Sequence, residues 1–490
     1  MIPIRLQTSD AVSPLYGAWK QLWHRQDADP FLHPAWHTAF VVSRGAKLRP
    51  VIVGAWRDAE LVGVLPLRRD RDGVLRFLSA SQSDYEDALL DERHGAAVLE
   101  ALVEYLLGER FDLAEVPEES PLGHALASRG LVPRPGAPCP GVELTPDAFL
   151  DVTGRKSLRR HQNKLARRGF TRLLAVDGAH RLQALQRLFD QHIARRTAVG
   201  DDSLFLNPVN RAFYRELTGH ADFPEFGDFQ VLKSGDDDAA FHVGLRNQRT
   251  FIWYKPTFNL NLETEGPGEV LLKLLFEHAR DIGTSYFDFS RGEEAFKLRF
   301  ANTSRANRRF MHRLPMAGRL VSRLKRRGLE VRSTVGATVR RLAGHWHSAE
   351  ANGIETMLPP GDPPRALEGY EARYGEVDLV EFGALRLHCP AYVTREKMQS
   401  ARERRARGDK LLIVRRRSDG VPVHLSWVRS ENAEHPRSPG RGATPGSARI
   451  QAVFDSWTAP GRSSSEIRRW AADWVAYHAG RDDARGSVHE

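Results

Sequence analysis

The chain has 490 residues, 41% of them hydrophobic, a formal net charge of +10 and two cysteines, Cys139 and Cys389. That length exceeds one ordinary domain, so two to four are expected, while no run approaches the roughly 18–20 apolar residues that span a bilayer. The start Met1-Ile2-Pro3-Ile4-Arg5 shows no secretory pattern, and two distant cysteines exclude a disulfide framework and a Cys-rich zinc site, so a reduced, cytoplasmic setting is expected.

Residues 1–148 read as one α/β lobe. Leu15, Trp19 and Leu22/Trp23 give helical spacing over 15–25. Strand-like runs at 50–56, 61–67 and 74–78 are joined by Asp58-Ala59-Glu60 and Arg71-Asp72-Gly73, an antiparallel meander. Ala96–Leu107 has the apolar content of a buried helix, and Phe111–Val116 is a strand closed by Pro117. Arg134–Pro140, with three prolines and a glycine, reads as a linker.

Residues 149–315 repeat that order. Lys156–Arg168 is a basic helix and Arg181–Arg196 a second, amphipathic one. A meander follows at 228–232, 240–245 and 251–254, then a helix over 269–281 and a strand over 286–289. Val62-Gly63 recurs as Val243-Gly244, and Phe111-Asp112 as Phe287-Asp288, each pair at a similar offset. This points to a duplicated lobe.

Residues 316–349 carry many arginines against the single acid Glu330, with a helical apolar stripe. They read either as a bridging helix pair with a solvated basic face or as a patch lying on anionic lipid. After Pro359-Pro360-Gly361 a third region, 350–490, has a hairpin turned by Ser418-Asp419-Gly420, a Pro/Gly/Ser-rich mobile insert at 431–447, a strand at 452–457 and a capped helix over 467–478.

The most informative segment is Phe287–Phe300, FDFSRGEEAFKLRF. A short strand turns at Arg291-Gly292 and presents Glu293 and Glu294 at a helix start, with Lys297 and Arg299 within about one turn. Delivering Asp288, Arg291, Glu293 and Lys297 into one corner is a common way to build a polar site on a rigid support. An ordinary solvated charge cluster is the competing reading. His33 and His37 are separated by Pro34 without a following glutamate, and His345 and His347 lack a third ligand, so no metal site is expected.

The basic run Ser157-Leu158-Arg159-Arg160 to Arg167-Arg168, the turn Gly266-Pro267-Gly268 and the run Tyr286-Phe287-Asp288-Phe289-Ser290-Arg291-Gly292-Glu293-Glu294-Ala295-Phe296-Lys297 resemble the acetyltransferase domain of the CelD-like, polysaccharide-biosynthesis branch of the GNAT superfamily. Phe31-Leu32-His33-Pro34-Ala35-Trp36, Leu61–Leu67 and Asp84-Tyr85-Glu86-Asp87 extend the resemblance over about residues 15–310. The branch is similar in build to the FemAB aminoacyltransferases, which pair two such lobes. The resemblance implies an α/β (α+β) fold: a first GNAT-like lobe over 1–148, an acetyltransferase domain over 149–315 and a diverged GNAT-like C-terminal region. In that last region Ala459-Pro460-Gly461-Arg462 stands where a glycine-rich pyrophosphate loop would.

The implied reaction is acyl transfer from acetyl-CoA, or another acyl-CoA, to an amino group of a sugar, nucleotide-sugar or cell-surface polysaccharide precursor. The amine must lose a proton, the oxyanion must be stabilised and the thiolate neutralised. Asp288 or Glu293 would act as base or orient the amine; Tyr254 would give the thiolate a proton, unless it is a core aromatic. Arg291 and Lys297 would bind a substrate anion, or else pair with Glu293 and Glu294. Gly266 and Gly268 would open a helix N-terminus to the pyrophosphate, and Arg159 and Lys164 on the basic helix would grip nucleotide phosphates. Two alternatives stand beside this: an aminoacyl-tRNA-dependent transferase of the FemAB kind, the only reading that includes nucleic acid, and a non-catalytic scaffold of a polysaccharide-synthesis complex anchored through 316–349.

Overall fold

A computed structural model of the chain describes residues 3–314, 368–430, 450–459 and 464–479; the basic segment 316–349, the insert 431–447 and loop residues 460–463 lie outside them. The chain falls into two compact units, Met1–Phe189 with Asn207–Val331 and Asp190–Leu206 with Arg332–Glu490.

In the first unit, the first half of the chain supplies β1 (Arg5–Ser9), α1 (Tyr16–Gln26), α2 (Pro34–Arg44), β2 (Pro50–Arg57), β3 (Glu60–Arg69), β4 (Leu75–Phe77), β5 (Leu89–Leu90), α3 (Gly95–Leu107), β6 (Phe111–Pro117), α4 (Pro121–Ser128) and β7 (Arg134–Glu143). The second half supplies α5 (Pro146–Thr153), α6 (Lys156–Ala166), β8 (Thr171–Ala175), α7 (Arg181–Val199, whose last turns count with the second unit), α8 (Pro208–Gly219), α9 (Phe223–Phe226), β9 (Gly227–Ser234), β10 (Asp237–Arg246), β11 (Thr250–Phe258), α10 (Pro267–Asp281), β12 (Tyr286–Asp288), α11 (Ala295–Phe300) and β13 (Thr303–His312).

All thirteen strands join one mixed sheet in the order β1-β2-β3-β4-β6-β13-β7-β12-β11-β10-β9-β8, with β5 on β3. Each half-sheet therefore ends on the last strand of the other half. β13 pairs antiparallel with β6, β7 pairs antiparallel with β12, and the two exchanged strands pair with each other. The internal sequence matches fall at equivalent places: Val62-Gly63 on β3 and Val243-Gly244 on β10, Phe111-Asp112 on β6 and Phe287-Asp288 on β12.

Arg134–Glu143 is a strand, not the linker its prolines suggest. Pro138 and Pro140 sit where the neighbouring chain needs only acceptors: the Pro140 carbonyl takes the Phe289 N–H at 3.0 Å and the Pro138 carbonyl the Gly292 N–H at 2.9 Å. The bonds to residues 289–292 draw only on carbonyls, so the absent proline N–H breaks no ladder bond there even though β7 is an interior strand.

Two equivalent helices cover equivalent stretches of sheet. Val98, Leu102, Val103 and Leu106 of α3 pack on Val53, Leu65 and Phe111. Val270, Leu271, Leu275, Phe276 and Ala279 of α10 pack on Phe251, Trp253, Phe287 and Phe289. Each fully buried Val, Leu or Phe among them stabilises by about 1.5–3 kcal/mol. The recurring glycine has a different cause in each half. A Cβ on Gly63 would lie 2.5 Å from Val98, and one on Gly244 2.4 Å from the His242 ring.

The second unit holds β14 (Tyr370–Glu376), α12 (Leu379–Ala384), α13 (Arg395–Ala406), β15 (Lys410–Arg416), β16 (Pro422–Ser430), β17 (Ile450–Thr458) and α14 (Ser464–Ala479). Its sheet is antiparallel in the order β14-β15-β16-β17. Leu412, Val414, Val423 and Val428 pack under Ile467, Ala471 and Val475 of α14. Strand, helices, three-stranded meander and helix follow one another as they do at the start of each half of the first unit. The architecture is mixed α/β, a large mixed sheet flanked by helices. Among the described residues no helix is long and apolar enough to cross a membrane.

Candidate active site

The two parallel contacts of the large sheet are brief. β11 meets β12 only at Thr250–Ile252 against Tyr286–Asp288. Beyond Asp288 the chain turns away through Ser290 in the left-handed region (φ 61°) and hydrogen-bonds to β7 instead. Among the described residues, Trp253–Phe258 of β11 thus has no strand partner on its β12 side, and a splay opens there.

The sequence marks that splay with a bulge. Val243 pairs with Lys255 and Leu245 with Ile252, so two residues of β11, Trp253 and Tyr254, oppose one on β10. The displaced Tyr254 N–H donates to Nε2 of the buried His242 at 3.2 Å. Bulges of this kind re-aim side chains beside functional sites.

In the first half, the corresponding β4–β6 contact is the single pair Leu75–Phe111. The chain after β4 fills the space that follows: Glu86 N–H donates to the Glu115 carbonyl of β6 at 2.9 Å. From there the same loop reaches the second half. Asp84 Oδ1 accepts from Arg291 Nε at 2.7 Å, and its other oxygen accepts from the Ser290 hydroxyl. Tyr85 Oη donates to Asp288 Oδ1 at 2.8 Å, and the Gln82 carbonyl accepts from Tyr254 Oη at 2.6 Å. Asn307 of β13 donates to the Asp84 carbonyl and to Glu115 at 2.9 and 2.8 Å. Burial works against the Asp84 charge, yet Lys255 and Arg291 outweigh it and hold the carboxyl below its usual range.

The structure brings Asp288, Arg291, Lys297 and Tyr254 to this junction and leaves Glu293 out, exposed on the surface. Their bonds are mostly internal. Asp288, fully buried, accepts from Tyr85, from the Ser290 N–H at 2.6 Å and from Arg305. Burial raises its pKa against the pull of Arg305. Arg291 spans Asp84 and Glu115, the latter at 2.8 Å. Lys297 donates to the Arg291 carbonyl at 2.5 Å and pairs with Glu294 at 2.9 Å. The Tyr254 hydroxyl accepts from Tyr214 at 2.8 Å and donates to Gln82, and burial pushes its pKa well up.

Sequence reasoning passed over Lys255. Its Nζ lies 3.5 Å from the centroid of the Tyr254 ring, and no carboxylate lies within 4.0 Å of it among the described residues. Burial lowers its pKa to about 8, Asp84 pulling it up while Arg291 and Lys297 press it down. The available signal was a lysine placed after four aromatic or apolar residues in Phe251-Ile252-Trp253-Tyr254-Lys255. Asp84 lies in the run Asp84-Tyr85-Glu86-Asp87, where residue type alone assigns it no role.

Gly266, Gly268, Arg159 and Lys164 form a separate group where α6 packs along the start of α10. Gly266 is left-handed (φ 68°), and a Cβ there would lie 2.6 Å from the His161 ring; a Cβ on Gly268 would lie 3.2 Å from Phe258. His161 Nδ1 bonds Glu269 at 2.9 Å, and Arg299 holds the other oxygen of that carboxylate at 2.8 Å. The Gly-Pro-Gly turn thus faces packed side chains, and the first turn of α10 already carries an acid. Lys164 donates to the Thr264 carbonyl at 3.1 Å; Arg159 is exposed. Among the described residues no group of three or more His, Cys, Asp or Glu could hold a metal ion.

Residues 153–298 match the family described as an acetyltransferase (GNAT) domain. No curated protein matches the sequence. Among solved structures, the C-terminal domain of a putative lysylphosphatidylglycerol synthetase from Agrobacterium fabrum aligns at 14% identity over 61% of this chain and 92% of its own, with a TM-score of 0.44. FemX aligns at 10% identity over 63% and 97%, with a TM-score of 0.43. A tandem GNAT protein from the clavulanic acid biosynthesis pathway aligns at 11% identity over 64% and 99%, with a TM-score of 0.37. Residues 153–298 are a GNAT-type acetyltransferase domain, and the chain that carries it is an enzyme of the acyltransferase class.

Proposed function

We propose that the chain is an acyl-CoA-dependent N-acyltransferase, with acetyl-CoA as donor, acting on an amino group of a sugar, nucleotide-sugar or cell-surface polysaccharide precursor. The observation that carries the reading is the Lys255 amine, with no carboxylate within 4.0 Å among the described residues, on the part of β11 that β12 leaves. Acyl transfer requires the acceptor ammonium to lose a proton, and a group with a pKa near operating pH does this best. Lys255, lowered to about 8, meets that condition. Asp288, closed in by Arg305 and Tyr85, does not present a free oxygen for the task.

The reading of the donor draws its support from the acyl end. The unpaired edge of β11 offers backbone groups to the amides of a pantetheine arm, and the bound thioester supplies an activated acyl group. At the phosphate end, the Gly266 turn is packed against His161, so exposed cations of α6, Arg159 and Lys156 among them, are the groups that would meet phosphate. The acceptor class rests on the resemblance of the first and middle segments to the polysaccharide-biosynthesis branch. The buried, unpaired thiols of Cys139 and Cys389 suit the cytoplasmic setting that belongs to the same reading.

The test is thermal unfolding with and without acetyl-CoA, followed by thiol release with a panel of amino sugars and nucleotide amino sugars. A raised Tm and acceptor-dependent thiol release are expected. No stabilisation by any acyl-CoA would overturn the proposal.

A further inference from the structure

We infer that, when the splay holds an acyl-CoA and no acceptor, Lys255 takes the acyl group itself, so that the site shuts by acylation of its own lysine. This rests on the acyl-CoA reading above.

Three observations place the amine for it. The other cations of the junction are tied up: Arg291 by Asp84 and Glu115, Arg305 by Asp288 and Glu119, Lys297 by Glu294. Lys255 rests instead on the face of the Tyr254 ring, which holds an ammonium but takes up no proton from it. Second, the residue follows the bulge, on the part of β11 that β12 has left. Third, Thr257 pairs with Phe241 as Lys255 pairs with Val243, two positions on, so both side chains rise from one face of the strand. Thr257 is 1% exposed, and its Oγ1 has no hydrogen-bond partner among the described residues. A buried hydroxyl left without a partner is unusual and points to a ligand group it can bond. A thioester carbonyl beside Lys255 would be such a group.

The step balances without any further reagent. The Nζ lone pair attacks the thioester carbonyl carbon, the C–N bond forms, the C–S bond breaks, and the departing thiolate takes the proton that Nζ loses. The products are an amide on Lys255 and free coenzyme A thiol. With a pKa of about 8, roughly a quarter of Lys255 is neutral at pH 7.5, against roughly one in a thousand for an ordinary lysine. The amide abolishes both the charge and the basicity of the group, so transfer to an acceptor stops.

The full chain is incubated with labelled acetyl-CoA without acceptor, digested and read by mass spectrometry, with unfolding followed in parallel. We expect one acetyl group on Lys255, gained much faster than on the exposed Lys47 and Lys156, with matching loss of thiol-release activity. Thr257→Val slows labelling by about a hundredfold, because its hydroxyl no longer steadies the oxyanion, and unchanged labelling would remove Thr257 from the inference. Lys255→Arg removes the label from that peptide while acetyl-CoA still raises Tm. Stabilisation by acetyl-CoA with Lys255 labelled no faster than Lys47 overturns the inference and leaves the acyl-CoA reading intact. Absence of any stabilisation overturns both.

Discussion

Tyr85 donates its hydroxyl proton to Asp288 at 2.8 Å, joining residues 203 positions apart. The same carboxylate takes the Ser290 N–H and the guanidinium of Arg305 on β13. A loop of the first half, the end of β12 and an exchanged strand therefore meet on one fully buried group. Removing the carboxylate leaves the buried Tyr85 hydroxyl and Ser290 N–H without their acceptor, while Arg305 keeps Glu119, and costs about 1–3 kcal/mol. Asp288→Ala should lower unfolding free energy by that amount in urea titration, and Asp288→Asn by less. A stable but inactive Asp288→Ala protein would return Asp288 to the role of base.

Lys255→Met removes the proposed base while keeping an unbranched apolar stem one atom shorter. Turnover should fall by about 10²–10⁴ with acetyl-CoA affinity little changed. In the unsubstituted protein the rate should rise with pH and level off above about 8, because the neutral amine is the active form. Rate measurements between pH 6 and 9 check both; a Lys255→Met enzyme with the same rise would refute the assignment.

Glu86 is 1% exposed, accepts from the Ser79 hydroxyl at 3.2 Å and has no partner for its second oxygen among the described residues. Burial raises its pKa from 4.5 to about 8. The folded chain therefore keeps a proton that the unfolded chain loses. The stabilisation is complete below pH 4.5 and is lost as pH rises through about 8, with a slope up to about 1.4 kcal/mol per pH unit. Glu86→Gln should remove this component, so its stability relative to the unsubstituted protein should improve steadily between pH 5 and 8 in denaturant titrations.

Gly266→Ala places a Cβ against the His161 ring at a left-handed position. It should cost about 1–3 kcal/mol. His161→Ala in the same chain relieves the contact but not the backbone strain, so calorimetry should show partial recovery. Full recovery would mean that the left-handed backbone contributes nothing.

The repeated Val-Gly and Phe-Asp pairs could be matched in the sequence because equivalent strands in the two halves bury equivalent faces. The meanders could be recognised because alternation and tight turns are written within a few neighbouring residues. The segment Arg134–Glu143 could not, because local proline content argues against a strand. Its pairing depends on Phe289 and Gly292, about 150 residues further along, which ask only for carbonyls. The polar corner after β12 was legible as a cluster of charged residue types. Its partners Asp84, Tyr85, Glu115 and Arg305 were not, since nothing local to either segment records which distant side chain will neutralise it.

By itself the sequence determined the periodicities: which runs become strands or helices, where the lobe repeats, and that acidic and basic groups gather after Phe287. These follow from steric and solvation preferences that act over a few residues. Only the tertiary structure decided that the halves exchange their last strands, that Asp288 and Arg291 are neutralised, and that Lys255, among the described residues, has no carboxylate within 4.0 Å. Pairing a buried charge depends on three-dimensional distance and dielectric, and a chain specifies those only once its distant segments have packed.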